Sequence, residues 1–128
     1  MFYNVYRVAE AGMPRDHHAI FVETTRNGEG HIFQVTGNIQ SGMVHDDKPG
    51  PKPEETAGYI GKILLGRVAV DKFPRIKSIC ESVPAPKKQF DLNRRLYPQE
   101  PLRRCQEWTA EAIEALVGAG VLQRCDEQ

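Results

Sequence analysis

The chain has 128 residues, of which 40% are hydrophobic and 27% charged, and its 17 basic side chains balance 17 acidic ones. This length is typical of one domain, so we expect a single domain over residues 1–128. The charge balance argues against a protein that binds nucleic acid through a basic face and against a polybasic membrane-binding patch.

No apolar stretch approaches the roughly 18 residues of a membrane-spanning helix, so we expect no membrane span. Residues 1–12 are interrupted by charged side chains and lack the continuous apolar core of a secretory signal. The three cysteines, Cys80, Cys105 and Cys125, show no paired CxxC spacing. Without a signal peptide they are expected to be reduced thiols, which predicts a cytoplasmic protein.

The first half of the chain predicts three strands. Residues 2–8 alternate loosely and are rich in tyrosine and valine, which predicts a first strand. Residues 17–24, HHAIFVET, predict a second strand, and residues 31–36, HIFQVT, predict a third that returns antiparallel to it. Between them, Asn27-Gly28 supplies the positive φ angles that a tight turn needs.

The middle of the chain is rich in glycine and proline. Residues 37–53, which include Met43 and His45, could form a wall or lid of a site or only a solvated connection. Within them, residues 46–53, DDKPGPKP, predict an exposed loop. Residues 59–70, YIGKILLGRVAV, fit a helix or a buried strand, and their glycines and β-branched residues favour the strand.

Two helices are predicted in the second half. Residues 71–83 carry apolar side chains at helical spacing, with Asp71 as the N-cap. Residues 87–100 predict irregular, polar chain. The last helix is predicted over residues 101–117, with Pro101 at its start. Together these elements predict an α+β fold, with a small antiparallel sheet packed against helices.

Cys105 is the strongest candidate for a reactive residue. It lies in the first turns of the last predicted helix, directly after Arg103 and Arg104. A helix N-terminus and neighbouring cations lower the pKa of a thiol, and the thiolate is the nucleophilic form. Arginines at a helix N-terminus oppose its macrodipole, and such conflicts are enriched at functional sites. Alternatively, the arginines point to solvent or neutralise Glu107 and Glu111, and the cysteine is a small buried hydrophobe.

A cysteine nucleophile needs a base, most often histidine, and a third group that orients the imidazole. His17 opens the second predicted strand, and His18 must point to the opposite face because strand side chains alternate. On the third predicted strand, His31 and Gln34 lie on opposite faces, so only one can face His17. We favour Gln34, whose amide oxygen can accept from the imidazole N–H and fix its tautomer. His31 would otherwise be a surface histidine.

The second strand resembles the catalytic-histidine strand of the permuted papain-like NlpC/P60 families. These include the lecithin-retinol acyltransferase group and the PPPDE peptidases. In them a histidine is followed two positions on by a small residue and then by an apolar pair. His17, Ala19, Ile20 and Phe21 fit this pattern.

The order of elements extends the resemblance, since these families place the cysteine later in the chain, at a helix N-terminus. Cys105-Gln106 followed by the aromatic Trp108, within RRCQEWTAEAIEAL, is similar to the family pattern of cysteine, polar residue and aromatic residue. The resemblance covers residues 14–37 and 101–117, and the middle of the chain is unmatched. We also expect relatives among fungal proteins.

The resemblance implies one permuted papain-like domain with the nucleophile helix at the C-terminus. It implies a cysteine-dependent hydrolase or acyl transferase that acts on an amide, peptide or (thio)ester through a thioester intermediate. A small molecule or peptide would be the substrate. The implied residues are, for catalysis, Cys105, His17 and Gln34, and, for substrate binding, His31, Gln106 and Trp108. Gln106 has the alternative of an ordinary helix residue.

Two other classes of function stay open. A non-catalytic binding module could use the same fold, because fold does not fix function. A metal-binding or redox protein would draw on His17, His18, His31 and His45, but their spacing matches no recognised ligand motif. We therefore expect no metal and no cofactor. Nothing in the pattern indicates an oligomeric state.

Overall fold

The fold is α+β and is described by a computed structural model over residues 1–125. Its strands are β1 Phe2–Glu10, β2 His17–Glu23, β3 Gly30–Asn38, β4 Gly42–Gly50, β5 Tyr59–Ala69, β6 Phe90–Asp91, β7 Arg94–Arg95 and β8 Leu122–Arg124. Its helices are α1 Arg75–Ser82 and α2 Cys105–Gly118, with 3-10 turns at Pro53–Glu55 and Val70–Lys72. None of the helices in this described part of the chain is long and apolar enough to cross a membrane.

Six strands form one antiparallel sheet in the order β4-β3-β2-β1-β5-β8. The strands β1 to β4 lie side by side because short turns connect them. β5 returns to the free side of β1, and β8 pairs with β5 around Gly66. A Cβ at Gly66 would lie 1.9 Å from the backbone oxygen of Gln123, so only glycine lets β8 approach. The strands predicted over residues 2–8, 17–24, 31–36 and 59–70 are confirmed.

The predicted loop over residues 46–53 is wrong for residues 46–50, because Gly42–Gly50 forms β4 at the edge of the sheet, and it is confirmed for residues 51 and 52. An edge strand is hydrogen-bonded on one side only, so a residue without an N–H, such as Pro49, is tolerated there. Glycines flank the turn that leads into β4, with Gly37 near the end of β3 and Gly42 at the start of β4. Gly37 and Gly42 have φ angles of 104° and 92°, which other residues rarely adopt.

The first helix is shorter than predicted and is not capped by Asp71. α1 begins at Arg75, and Pro74 occupies its N-cap position without a side-chain hydrogen bond. Asp71 lies in the 3-10 turn Val70–Lys72 that follows β5. The residues that were predicted to form the first turn of this helix therefore lie partly in the 3-10 turn and partly between that turn and α1.

The last helix also begins later than predicted, at Cys105 instead of Pro101. The side chain of Gln89 explains this, because it accepts from the backbone N–H of Arg103 at 2.9 Å and donates to its backbone oxygen at 2.7 Å. These two bonds hold Arg103 outside the helix, and Arg104 is extended, with φ −126° and ψ −166°. Cys105 is therefore the first helical residue.

Three short strands, β6, β7 and β8, were not predicted. β6 and β7 form a two-stranded hairpin inside the segment 87–100, and β8 pairs with β5 over three residues. Strands of two or three residues are too short to show the alternation by which a strand is recognised in a sequence.

Both helices pack on the same face of the sheet. Their shared core contains the buried side chains Val5, Ile20, Val22, Phe33, Val35, Val68, Ile76, Cys80, Trp108, Ala112 and Leu116. Ala19 and Phe21 alternate with these strand residues and form a smaller cluster with Val8 on the other face. This packing brings the first turn of α2 to the beginning of β2.

Candidate active site

Two hydrogen bonds hold the first turns of α2 against the start of β2. The Nε2 group of Gln106 donates to the backbone oxygen of Asp16 at 3.0 Å. The hydroxyl of Thr109, which is buried, donates to the backbone oxygen of His18 at 3.2 Å. Because Asp16 and His18 flank His17, these bonds place the start of the helix beside that histidine.

An ion pair adds a third connection between the loop before β2 and the helix. Arg15 donates to the two carboxylate oxygens of Glu107 at 2.7 and 3.0 Å. Glu107 also accepts from the backbone N–H of Arg104 at 2.7 Å, at the helix end where N–H groups have no intrahelical partner. The hydrogen bond from Arg15 lowers the pKa of Glu107 to about 2, against the opposing effect of burial. The carboxylate is thus ionised at neutral pH, and the ion pair fixes this wall of the site.

The thiol of Cys105 and the imidazole of His17 lie close enough to shift each other's pKa. Burial is the largest influence on the thiol and opposes ionisation, but hydrogen bonds with the His17 side chain and the His18 backbone outweigh it and lower the pKa of Cys105. For the imidazole, the bond with Cys105 is the largest influence, and it raises the pKa of His17. Both shifts favour a thiolate–imidazolium pair.

Gln34 binds the other side of the imidazole. The Nε2 atom of His17 lies 2.7 Å from Oε1 of Gln34, and the amide nitrogen of Gln34 donates to Oδ2 of Asp46 at 2.9 Å. A carboxylate can only accept, so Asp46 turns the amide NH2 toward itself and the amide oxygen toward His17. His17 then carries a proton on Nε2, and its Nδ1 atom is left to face the thiol of Cys105.

His31, the alternative to Gln34, lies elsewhere. Its Nε2 atom is 2.8 Å from Oδ1 of Asp47, and its ring packs against Phe33 and Phe73. The alternation of β3 therefore separates the two candidates as expected, and Gln34 is the one that contacts His17.

Asp46 is the member of this network that the sequence did not predict, because it lay within the predicted loop. It is paired directly with Gln34 in the β3–β4 ladder. Asp46 could have been predicted from the two glycines Gly37 and Gly42, whose spacing suits a hairpin turn. With a hairpin assumed, alternation would have placed Asp46 near Gln34.

A cleft of about 280 Å³ opens beside the Cys105–His17 pair. One wall is the loop of residues 12–16, and the opposite wall is the turn of residues 37–40 together with Met43. The sequence proposed residues 37–53 as a wall or a connection, and only their first part lines the cleft. His45 instead lies with its Nε2 atom 2.7 Å from the backbone oxygen of Val83.

Residues 5–123 match DUF6540, a family of unknown function. The chain belongs to this family. No curated protein and no solved structure matches the chain. The match to DUF6540 includes Cys105, His17, Gln34 and Asp46, so the whole network lies within the residues that match the family.

None of the three predicted substrate contacts, His31, Gln106 and Trp108, lines the cleft. Trp108 is 1% exposed, and its Nε1 group donates to the backbone oxygen of Val83 at 2.9 Å, so its side chain belongs to the core. Gln106 does not line the cleft either, but it holds the backbone of Asp16, which does. Its effect on the cleft is therefore indirect.

The histidines are dispersed over the molecule. His17 binds Gln34, His31 binds Asp47, and His45 binds a backbone oxygen. His18 lines a separate depression, as expected from its alternation with His17. Within residues 1–125, no three His, Cys, Asp or Glu side chains are grouped as a metal site requires.

Proposed function

We propose that this member of DUF6540 is a cysteine-dependent hydrolase or acyl transferase that acts on an amide, peptide or (thio)ester. The observation that carries the proposal is that Cys105, the first residue of a helix, lines one cleft with His17, whose imidazole is bound by Gln34. In support, the pKa of the thiol is lowered and that of the imidazole raised. A permuted papain-like domain is supported by the chain order of histidine strand, partner strand with Gln34, and nucleophile helix. A cytoplasmic location suits it, since a reducing compartment keeps such a thiol active.

In the first half of the reaction, the proton of Cys105 passes to Nδ1 of His17, and the thiolate attacks the substrate carbonyl carbon. The new C–S bond gives a tetrahedral oxyanion. The imidazolium of His17 then donates its Nδ1 proton to the leaving amine, alcohol or thiol as the bond to that group breaks. The product of this half is a thioester on Cys105.

In the second half, His17 is neutral and accepts a proton from water or from another acceptor nucleophile. That nucleophile attacks the thioester, and the collapse of the intermediate expels the thiolate of Cys105. Gln34 keeps the imidazole oriented throughout, because its oxygen accepts from Nε2 in both protonation states. Release of a free acid or transfer to an added amine separates hydrolase from transferase.

The backbone N–H of Cys105 is a suitable donor to the oxyanion. As the first residue of α2, its N–H has no partner within the helix. A donor at this position lies beside the attacking sulfur and is aligned with the helix dipole, so it stabilises negative charge that develops on the carbonyl oxygen.

The proposal is tested by alkylating the folded protein with iodoacetamide across pH and following each cysteine by mass spectrometry. We expect Cys105 to react faster than Cys125 at neutral pH, with an apparent pKa below the roughly 8.5 of a free thiol. Cys80 should be almost inert, because burial raises its pKa to about 12. His17→Ala should raise the apparent pKa of Cys105 toward that of a free thiol.

The matched control is His18→Ala, which removes the neighbouring imidazole but keeps the backbone N–H that bonds to Cys105. We expect its alkylation profile to follow that of the unmodified protein. If Cys105 reacts no faster than Cys125, or ignores the loss of His17, the enzyme proposal is wrong and a binding module on the same fold replaces it.

A second prediction concerns Asp46. In Asp46→Ala the amide of Gln34 is free to turn its NH2 group toward Nε2 of His17. An NH2 group cannot accept a hydrogen bond, so the tautomer with its proton on Nε2 becomes less favourable. That tautomer is the one whose Nδ1 atom can accept the proton of the thiol. We expect Cys105 alkylation near neutral pH to slow by roughly tenfold, the effect of one charge-assisted hydrogen bond. The tautomer of His17 can be read independently from its ring ¹⁵N chemical shifts.

Asp47→Ala is the control for this prediction. Asp47 is the next residue on β4, but its carboxylate binds His31 and Lys77 and does not touch Gln34. Equal slowing in the two variants, with both folded by circular dichroism, would show that Asp46 acts through general stability and not through the amide of Gln34.

A further inference from the structure

Three arginines surround the start of α2, and two of them are neutralised by glutamates of that helix. Arg15 forms its two hydrogen bonds with Glu107, at 2.7 and 3.0 Å. Arg103 binds both oxygens of Glu111, with a shortest distance of 2.7 Å. The alternative interpretation of the arginine pair, neutralisation by nearby glutamates, therefore holds for Arg103.

The third arginine, Arg104, has no such partner. In the described residues 1–125, no carboxylate forms an ion pair with its guanidinium. Its backbone is fixed, because its N–H donates to Glu107 and its oxygen accepts from the backbone N–H of Trp108 at 3.0 Å. The side chain is partly buried and lines the cleft together with Cys105.

Asp16 is the only carboxylate among the described residues that line this cleft. It is exposed, so solvent and salt screen its charge more than that of the partly buried Arg104. The same walls carry the apolar side chains of Met13, Ile39 and Met43. The cleft thus offers an apolar surface, one unneutralised guanidinium and a nucleophile in one space.

We propose that the substrate is a short aliphatic acyl compound whose acyl group bears a carboxylate, and that Arg104 binds this carboxylate. The inference rests on the proposed function and adds the substrate class to it. Arg104 and Cys105 line the same cleft of about 280 Å³, so one short acyl compound can present its carbonyl to Cys105 and its carboxylate to Arg104. A single free cation matches a carboxylate better than a phosphate, which carries up to about two negative charges.

The charge preference can be measured at Cys105 without any turnover. Iodoacetate and iodoacetamide transfer nearly the same group and differ in charge, so the ratio of their rates reports the local potential. We expect this ratio at Cys105 to exceed that at the exposed Cys125 by about fivefold, the effect of one partly buried ion pair. A change in thiol pKa alters both rates together and cancels in the ratio.

Arg104→Met should lower the ratio at Cys105 and leave the part that the charged imidazole of His17 contributes. Arg104→Lys should keep more of the ratio, because lysine keeps the charge without the planar fork. The matched control is Arg103→Met, which removes the adjacent arginine that Glu111 neutralises. We expect this control to keep the full ratio. An equal ratio at Cys105 and Cys125 in the unmodified protein, or an equal fall in the Arg103 and Arg104 variants, overturns the assignment.

Turnover gives the second measurement, with the mono-p-nitrophenyl ester of glutaric acid and p-nitrophenyl pentanoate as a charged and a neutral ester of similar length. We expect kcat/KM to favour the charged ester by about tenfold, and Arg104→Met to remove most of this preference. If both esters react equally through a reactive Cys105, only the role of Arg104 is overturned. If neither reacts and Cys105 alkylates like Cys125, the proposed function itself has failed.

Discussion

Cys105→Ala should abolish acyl-enzyme formation and lower ester turnover at least about a thousandfold, because the nucleophile cannot be replaced by any other group in the cleft. With p-nitrophenyl acetate, the unmodified protein should gain one acetyl group on the peptide that contains Cys105. The variant should gain none. Intact-mass spectrometry before and after hydroxylamine treatment, which cleaves thioesters, measures this directly.

The control for this loss is Cys125→Ala. Cys125 is an exposed thiol beyond the end of β8, and its Sγ atom is 3.7 Å from the backbone oxygen of Leu64, remote from the cleft lining. We expect this variant to acylate and turn over like the unmodified protein. Acetyl groups that appear on Cys125, or turnover that survives in Cys105→Ala, would contradict the assignment of the nucleophile.

The parts of the fold that the sequence predicted are those with strong local patterns. The β2–β3 hairpin has alternating strands and Asn27-Gly28 at its turn, and β5 has β-branched residues over its whole length. β4 has neither feature, since its lysine, aspartates and proline suit a loop equally well. It is a strand because the edge of β3 was available for pairing, which is a property of the assembled sheet.

The residues of the candidate site likewise divide into those that the sequence indicated and those that depend on the assembled fold. Residue types and chain order indicated Cys105 and His17, and strand alternation reduced the third position to Gln34 or His31. The contact between Gln34 and Asp46 depends on the register of β4 against β3, for which the glycines Gly37 and Gly42 are the one local signal that the candidate-site residues offer. Arg103 is paired with Glu111 and the guanidinium of Arg104 has no carboxylate partner among residues 1–125, a difference that depends on where α2 begins. The side chain of Gln89, which is remote in sequence, sets that position.

The sequence suggested that Trp108 contacts the substrate, but its side chain lies in the core. Its substitution is therefore the change from which we expect the largest loss of stability. Trp108→Ala should lower the free energy of unfolding by about 3–5 kcal/mol, because a fully buried indole is replaced by a cavity between α2 and the sheet. Leu92→Ala, at a side chain that is 88% exposed, should change it by less than about 0.5 kcal/mol. Urea unfolding followed by circular dichroism measures both.

Trp108→Phe separates packing from substrate contact. It keeps most of the buried area and loses the hydrogen bond to the backbone oxygen of Val83, which His45 continues to bind at 2.7 Å. We therefore expect a loss of about 1–2 kcal/mol, with the alkylation profile of Cys105 and the preference between charged and neutral esters unchanged. A stable Trp108→Phe protein with an altered ester preference would show that Trp108 contacts the substrate after all. An unchanged unfolding midpoint in Trp108→Ala would show that α2 is held to the sheet by its other contacts.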